Sequence, residues 1–410
     1  MISIKKITAV AAAAVLSFGL FAQTEPVSKT SVATAGLFGN DVDDFTNVNY
    51  WSNVAPKQFF AYFGMGTNTV GSTYDLGFAK QFKKFYWGTY FSGNLGPVTT
   101  TKTTTAGTTT KTKTTGDSEF SFNNTFGFGN VGLGIDFHYF DDGSSITDNT
   151  TDKNETVELA IKAGLKEYKI KKTRIIPYAA INYGIRGNKT VNTVGGTTTT
   201  VDSRFWNLGL SAGADIPLGK DKNVEQTATV GLGMTLIKPA DSDVESSNFA
   251  IGLPVGYKVV LKASNALSVG FKADADLGMS FGKAGSDTSV FAFAFEPKVA
   301  AGVTYATKKN IDLNAGVNFA VPAFTYSKTS VSGYSSGTAA WNGTDGSLSF
   351  NSGFAIKPTK NICIDCSYEI LAHIFGNNTE TGLTEGNYNF WNTVNKVLVH
   401  NIGFEVSAKF

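Results

Sequence analysis

The sequence predicts an all-β chain: a closed antiparallel transmembrane up-and-down β-barrel of about 16 strands, with about 14 as the alternative count. Three observations predict it. Long segments alternate apolar and polar residues with period two. The connections between them alternate between short and long. An export pattern stands at the N-terminus of a chain that carries few charges.

The N-terminus reads MISIKKITAVAAAAVLSFGLFAQTEP. Lys5 and Lys6 form a charged start, Ile7 to Phe21 an apolar run, and Ala22 a small residue before Gln23. That pattern predicts a secretory signal peptide over 1–22 and is short for a spanning helix. Residues 23–57 form the next unit. They include Val32, Leu37, Phe38, Phe45, Tyr50 and Trp51, more apolar than a plain linker, and are expected either to lie at the periplasmic mouth or to plug the lumen. Residues 58–410 are expected to form the barrel.

Within that span, NVGLGIDFHY places Val131, Leu133, Ile135, Phe137 and Tyr139 on one face and Gly132, Gly134, Asp136 and His138 on the other. Successive side chains of a strand point to opposite faces, so this is a strand reading. ALSVGFKADADLGMS sets Leu267, Val269, Phe271 and Leu277 against Lys272, Asp274 and Asp276. ETVELAIKAGLK sets Val157, Leu159 and Ile161 against Glu158, Lys162 and Lys166. Such segments run to about 10–15 residues where an ordinary strand has about 5–6, and about 9–11 tilted residues cross a bilayer. Strands are placed near 58–66, 72–81, 84–93, 118–128, 130–140, 155–166, 173–187, 203–217, 224–237, 247–262, 267–281, 289–305, 310–326, 346–357, 361–374 and 396–410. Short joins fall at Lys83, Gly129, Ala263–Ala266, Thr307–Lys309 and Pro358–Lys360, and long ones at 94–117, 141–154, 188–202, 327–345 and 375–395. Short periplasmic turns opposite longer external loops are the habit of membrane barrels. Trp51, Trp87, Trp206 and Trp391, with Tyr50, Tyr86, Tyr90 and Tyr183, fall near strand ends and suit interfacial girdles.

Charged residues make up 17% of the chain, below the roughly 25% of soluble proteins. Without Lys5 and Lys6 the basic and acidic residues balance, which leaves no electrostatic footprint for nucleic acid. Cys363 and Cys366 match C-x-x-C, but a redox pair needs a helix N-terminus, and a strand reading separates the two thiols to opposite faces. Gly127, Gly129 and Gly132 match a dinucleotide fingerprint, yet a strand follows where a helix must stand. Gly209, Ser211 and Gly213 match a nucleophile elbow inside a strand, with no histidine partner nearby. His138, His373 and His400 lack metal-ligand spacing. Asp41, Asp43 and Asp44 lack the glycine and distal glutamate of a calcium loop. No cofactor, metal or enzyme activity is expected.

The last strand supplies a resemblance. The signal sequence, the alternating strands and the terminal F-E-V-S-A-K-F together resemble bacterial outer-membrane β-barrels of the porin kind. Ile402, Phe404, Val406 and Phe410 match the family's apolar, aromatic-ended assembly signal, and Ala408 departs from it by being small. The resemblance implies the bacterial outer membrane as location, outer-membrane lipid and the barrel-assembly machinery as partners, and a homotrimer by analogy. The stretch GLFGNDVDDFTNVNYW is also similar to the mature starts of treponemal outer-membrane proteins.

With the apolar face outside, the expected pore-lining residues are Asp136, His138, Glu158, Lys162, Lys166, Lys272, Asp274, Asp276, Glu296, Lys298 and Asp312, joined by Asp365 and Glu369. Their mixed signs fit either cross-strand pairs or a filter for small solutes. Asp141, Asp142, Asp148 and Asp152 fall in the third predicted external loop. Threonine-rich 98–116 and 194–202 also fall in external loops, where they can extend the hairpins beyond the membrane. The expected function is passive diffusion of small hydrophilic solutes through a polar lumen. A plugged transporter for a hydrophobic substrate and a surface adhesin or antigen on a structural barrel are the alternatives.

Overall fold

A computed structural model describes residues 47–51, 59–67, 72–94, 98–105, 108–115, 118–141, 145–146, 150–194, 197–219, 221–239, 246–284, 288–307, 310–321, 324–331, 334–341, 346–359, 362–375 and 398–409. The predicted signal peptide, Trp391 and Phe410 lie outside these residues, as do Asp41, Asp43, Asp44, Asp142 and Asp148.

The strands in chain order are β1 Phe59–Thr67, β2 Ser72–Phe82, β3 Phe85–Asn94, β4 Val98–Thr105, β5 Thr108–Thr115, β6 Ser118–Phe128, β7 Val131–Asp141 and β8 Ser145–Ile146. Next come β9 Thr150–Leu165, β10 Tyr168–Ile170, β11 Thr173–Val194, β12 Thr197–Asp202, β13 Phe205–Pro217, β14 Val224–Pro239, β15 Ser246–Lys262 and β16 Leu267–Ala284. The chain continues through β17 Thr288–Ala306, β18 Ile311–Ala320, β19 Phe324–Val331, β20 Tyr334–Trp341, β21 Gly346–Thr359, β22 Ile362–Phe375 and β23 Leu398–Lys409.

Sixteen of these form the wall of a closed antiparallel barrel. Each wall strand pairs with its neighbours in the chain's order, and β1 closes the ring by pairing antiparallel with both β2 and β23. Closure matters because a lipid bath offers no water to an unpaired strand edge.

Period two alone does not say which face points outward, and exposure decides it. Leu133, Ile135, Leu159, Ile161 and Leu210 are exposed, while Thr125, Asp312, Ser349, Asn351 and Asp365 are buried. A soluble domain does the reverse. The large apolar groups therefore form the outer surface, where lipid takes the place of water, and the polar groups line the inside. A closed barrel with an apolar exterior is an outer-membrane barrel, and the chain is one.

The short-turn end is tightly made. Lys83 and Gly129, in the tight β2–β3 and β6–β7 turns, have φ of 36° and 60°. Only glycine takes such an angle without strain, so Lys83 costs about 1–2 kcal/mol there.

At the other end, the described parts of the joins at 94–117, 141–154, 188–202 and 327–345 are largely strand, as expected of threonine-rich loops that extend the hairpins. Residues 98–105 and 108–115 pair as the hairpin β4–β5, β11 runs on to Val194 before pairing with β12, and β8 links β5 to the start of β9. Threonine's preference for extended backbone accounts for this. The strand expected over 310–326 is also divided. β18 ends at Ala320 and β19 begins at Phe324, with Pro322 between them. Proline lacks the N–H that a ladder needs. Ala320 stands opposite Lys298 and Phe324 opposite Phe295, so the register slips by one residue across the break.

Candidate functional site

The inner face carries two kinds of wall. On β6, β7 and β9 it is lined by glycine. Gly127 stands opposite Gly132, and Gly132 opposite Gly164, so three glycines form one cross-strand row. Asn47–Trp51 occupies the space they leave. A Cβ on Gly127 would strike the Trp51 indole, one on Gly132 the Val48 carbonyl, and one on Gly164 the Asn49 side chain.

This segment is a closed turn. The Trp51 amide donates to the Asn47 carbonyl at 3.1 Å, and the Asn49 amide to Asn47 Oδ1 at 2.8 Å. Trp51 is 2% exposed and stacks on Tyr86 with centroids 4.9 Å apart and planes 29° apart. Lys166 Nζ sits 3.6 Å from the centre of the Trp51 ring. Lys166 lies in the turn after β9, and burial there pulls its ammonium below the ordinary lysine value. Tyr50 Oη donates to Asp215 Oδ2 at 2.6 Å, and Thr229 Oγ1 donates to Asp215 Oδ1 at 2.7 Å. The turn is thus held by stacking, a cation over a ring and a charge-assisted hydrogen bond. The contacts cluster near the short-turn end. Asn49 Oδ1 and Trp51 Nε1 are buried with no protein partner, a placement that suits bridging water.

Trp51, Tyr50, Tyr86 and Tyr90 are therefore not girdle residues. Tyr86 and Tyr90 share the inner parity of β3, while Trp87, Trp206 and Tyr183 keep outward positions. Trp87 Nε1 donates to Asn124 Oδ1 at 3.3 Å. A large aromatic near a strand end satisfies the girdle pattern and the lumen pattern equally, so position in sequence could not separate them.

The second kind of wall is charged, and most of its charges stand beside the opposite sign. Asp136 pairs with Lys162. His138 Nε2 lies 2.9 Å from Glu119, and its Nδ1 lies 3.9 Å from Glu158. Asn207 also donates to Glu158 at 3.5 Å. Across β16 and β17, Lys272 pairs with Asp274 at 2.6 Å, and Lys298 with Asp276 at 3.2 Å and Glu296 at 3.9 Å. Lys357 reaches Asp312 at 2.7 Å, with both side chains largely buried. Asp365 stands directly opposite Glu405 on the inner face. Except for Lys166, which lies in the turn after β9 with its ammonium over the Trp51 ring, these expected wall residues stand on the polar parity of their strands.

Sequence reasoning missed Gly127, Gly132 and Gly164 as a seat, and Asp215, Glu119 and Lys357 as partners. A signal was present: glycines two apart on the polar parity of neighbouring strands, where a larger residue would narrow the lumen. The fingerprint and elbow motifs dissolve in this setting, since their glycines lie on strands and in a turn. Cys363 and Cys366 form no disulfide and lie on opposite faces of β22. Among the described residues, no group of three His, Cys, Asp or Glu is placed to hold a metal.

Of the residues expected to form the assembly signal, Ile402, Phe404 and Val406 lie on the outer parity of β23, with Ile402 exposed.

No family model matches the chain, and no curated protein matches its sequence. Solved structures with a similar trace include CdiB from Acinetobacter baumannii, at 8% identity and TM-score 0.43, covering 87% of this chain and 60% of that one. The CymD monoaromatic hydrocarbon channel aligns at 11% identity and TM-score 0.41, over 94% of this chain and 97% of that one. A bacterial polysaccharide outer membrane secretin aligns at 10% identity and TM-score 0.40, over 87% and 99%. The chain spans 60% of the length of CdiB. Overlaps this loose carry nothing over to this chain, and they give no support to the treponemal likeness of residues 36–51.

Proposed function

We propose that the chain is a channel through which small hydrophilic solutes diffuse across the outer membrane, rather than an enzyme. The observation that carries this is the inner wall of paired charges, Glu119–His138–Glu158 on one side and Lys272–Asp274 with Asp276–Lys298–Glu296 on the other. Paired charges of both signs keep a lumen wet without trapping either ion, which suits weak, unselective passage. The lipid bilayer, the assembly machinery and a trimeric state go with this reading.

A second reading has its own observation. Asn47–Trp51 is seated in the lumen by a glycine row, and such a seat favours a plugged transporter for a hydrophobic substrate. Planar-bilayer recording of the folded chain separates the two. Stable conductance steps at both voltage signs are expected for the diffusion channel. Steps that appear only after deletion of residues 23–57 would favour the plug. A folded barrel silent in both forms would sink both readings and leave a surface-binding role for the external hairpins.

A further inference from the structure

The outer face holds a charged feature that no lumen function uses. Across β15, β16 and β17 the apolar band ends on one cross-strand row, where Phe249, Phe281 and Phe291 stand opposite one another. The Phe281 and Phe291 rings lie 5.2 Å apart. The next row toward the loop end reads Ser247, Lys283, Ser289 and, on β19, Ser330. Lys283 is thus the first charge on the outer parity of β16 after an unbroken apolar run from Leu267 to Phe281.

Lys328 joins this face because of the one-residue slip between Ala320 and Phe324. β18 turns its odd-numbered residues outward, such as Leu313. After the one-residue slip β19 turns its even-numbered residues outward, and Lys328 stands opposite Phe291. A one-residue slip moves every following side chain to the other face, so without it Lys328 would point inward.

Lys283 and Lys328 are exposed, and they line one concavity of about 450 Å³ with Ser247, Phe281, Ser289 and Ser330. Among the described residues neither lysine enters an ion pair. The loop end of a membrane barrel faces the outside, so this row lies where the outer leaflet's headgroups begin. The phenylalanine row marks the edge of the apolar band on these strands. Two ammonium groups and three hydroxyls directly above it complement a group with several acceptor oxygens and negative charge.

We infer that this concavity holds the anionic, phosphate-bearing headgroup of an outer-leaflet lipid, with its acyl chains against Phe249, Phe281 and Phe291. The inference is independent of what the lumen passes.

The test is native mass spectrometry of the folded full chain, comparing retention of phosphatidylglycerol with that of phosphatidylcholine. Wild type is expected to retain the anionic lipid preferentially. At about fivefold per lysine, Lys283→Gln with Lys328→Gln cuts the preference about 25-fold, and the paired Lys→Arg variant keeps it. Lys111→Gln on the external hairpin changes nothing. Heat-modified gel migration confirms that each variant is folded. Equal retention of the two lipids, or a preference untouched by the double Gln variant, overturns the inference. So does full displacement of phosphatidylglycerol by inorganic phosphate, which would make this a site for a free anion.

Discussion

The arc of wall formed by β6, β7 and β9 differs from the arc formed by β16, β17, β18 and β21, although both are built from the same period-two strands. On the first arc the inner positions nearest the turns are Gly127, Gly132 and Gly164, and Asn47–Trp51 fills the room they leave. On the second the inner face carries Lys272, Asp274, Lys298 and Asp312, and each finds its partner within the wall. The outer faces of the two arcs are alike. Lipid imposes one requirement on every strand, while the lumen imposes a different one on each. Inner side-chain size follows what stands opposite, and inner charge follows what the neighbouring strand offers.

The charged arc breaks hardest. Asp312→Ala leaves Lys357 buried and unpaired and is expected to cost about 3–5 kcal/mol of barrel stability. Urea unfolding followed by fluorescence checks it. Adding Lys357→Met is expected to restore most of the loss, whereas no restoration would mean that the pair acts through packing.

The glycine arc fails differently. Gly132→Val overpacks the seat by about 1–3 kcal/mol, which the turn avoids by leaving. The expected result is a red-shifted Trp51 emission and larger conductance, with barrel unfolding unchanged. Trp51→Ala removes the stack on Tyr86 and the cation contact with Lys166, about 0.5–1.5 kcal/mol each beyond the area buried. It should raise conductance in the same direction, and a lowered unfolding midpoint instead would make the turn part of the wall.

The smallest effect belongs to Lys298→Gln. Its side chain is about half exposed, so stability should move by less than about 1 kcal/mol. The wall becomes more negative around Asp276 and Glu296, and reversal potentials are expected to shift toward cations by roughly twofold. A shift toward anions would show that the pairs do not face the permeating ions.

Much of this fold was legible in the sequence. Each predicted strand centre corresponds to a wall strand, because lipid demands an unbroken apolar parity such as Val131–Tyr139 or Leu267–Phe281. What was not legible depends on events that leave no mark in alternation. The slip between Ala320 and Phe324 exchanges inside for outside within one predicted strand. The fate of Trp51 depends on contacts with β3, β6 and the turn after β9, none of them near it in sequence. The charged residues could be assigned to the polar parity, but the choice of Lys162 for Asp136 or Lys357 for Asp312 is set by register, which the sequence does not print.

The pairing of β1 with β23 has a consequence in time. Phe63 stands opposite Val406, so the first described wall strand waits for the last before its free edge is satisfied. Every hairpin in between can form from neighbours, but the seam cannot, and its closure carries the largest loop entropy in the molecule. Until then two sticky margins remain open to partners from other chains. Among the described strands, β23 is therefore the clasp: its arrival satisfies the edge of β1 and its own edge in one step.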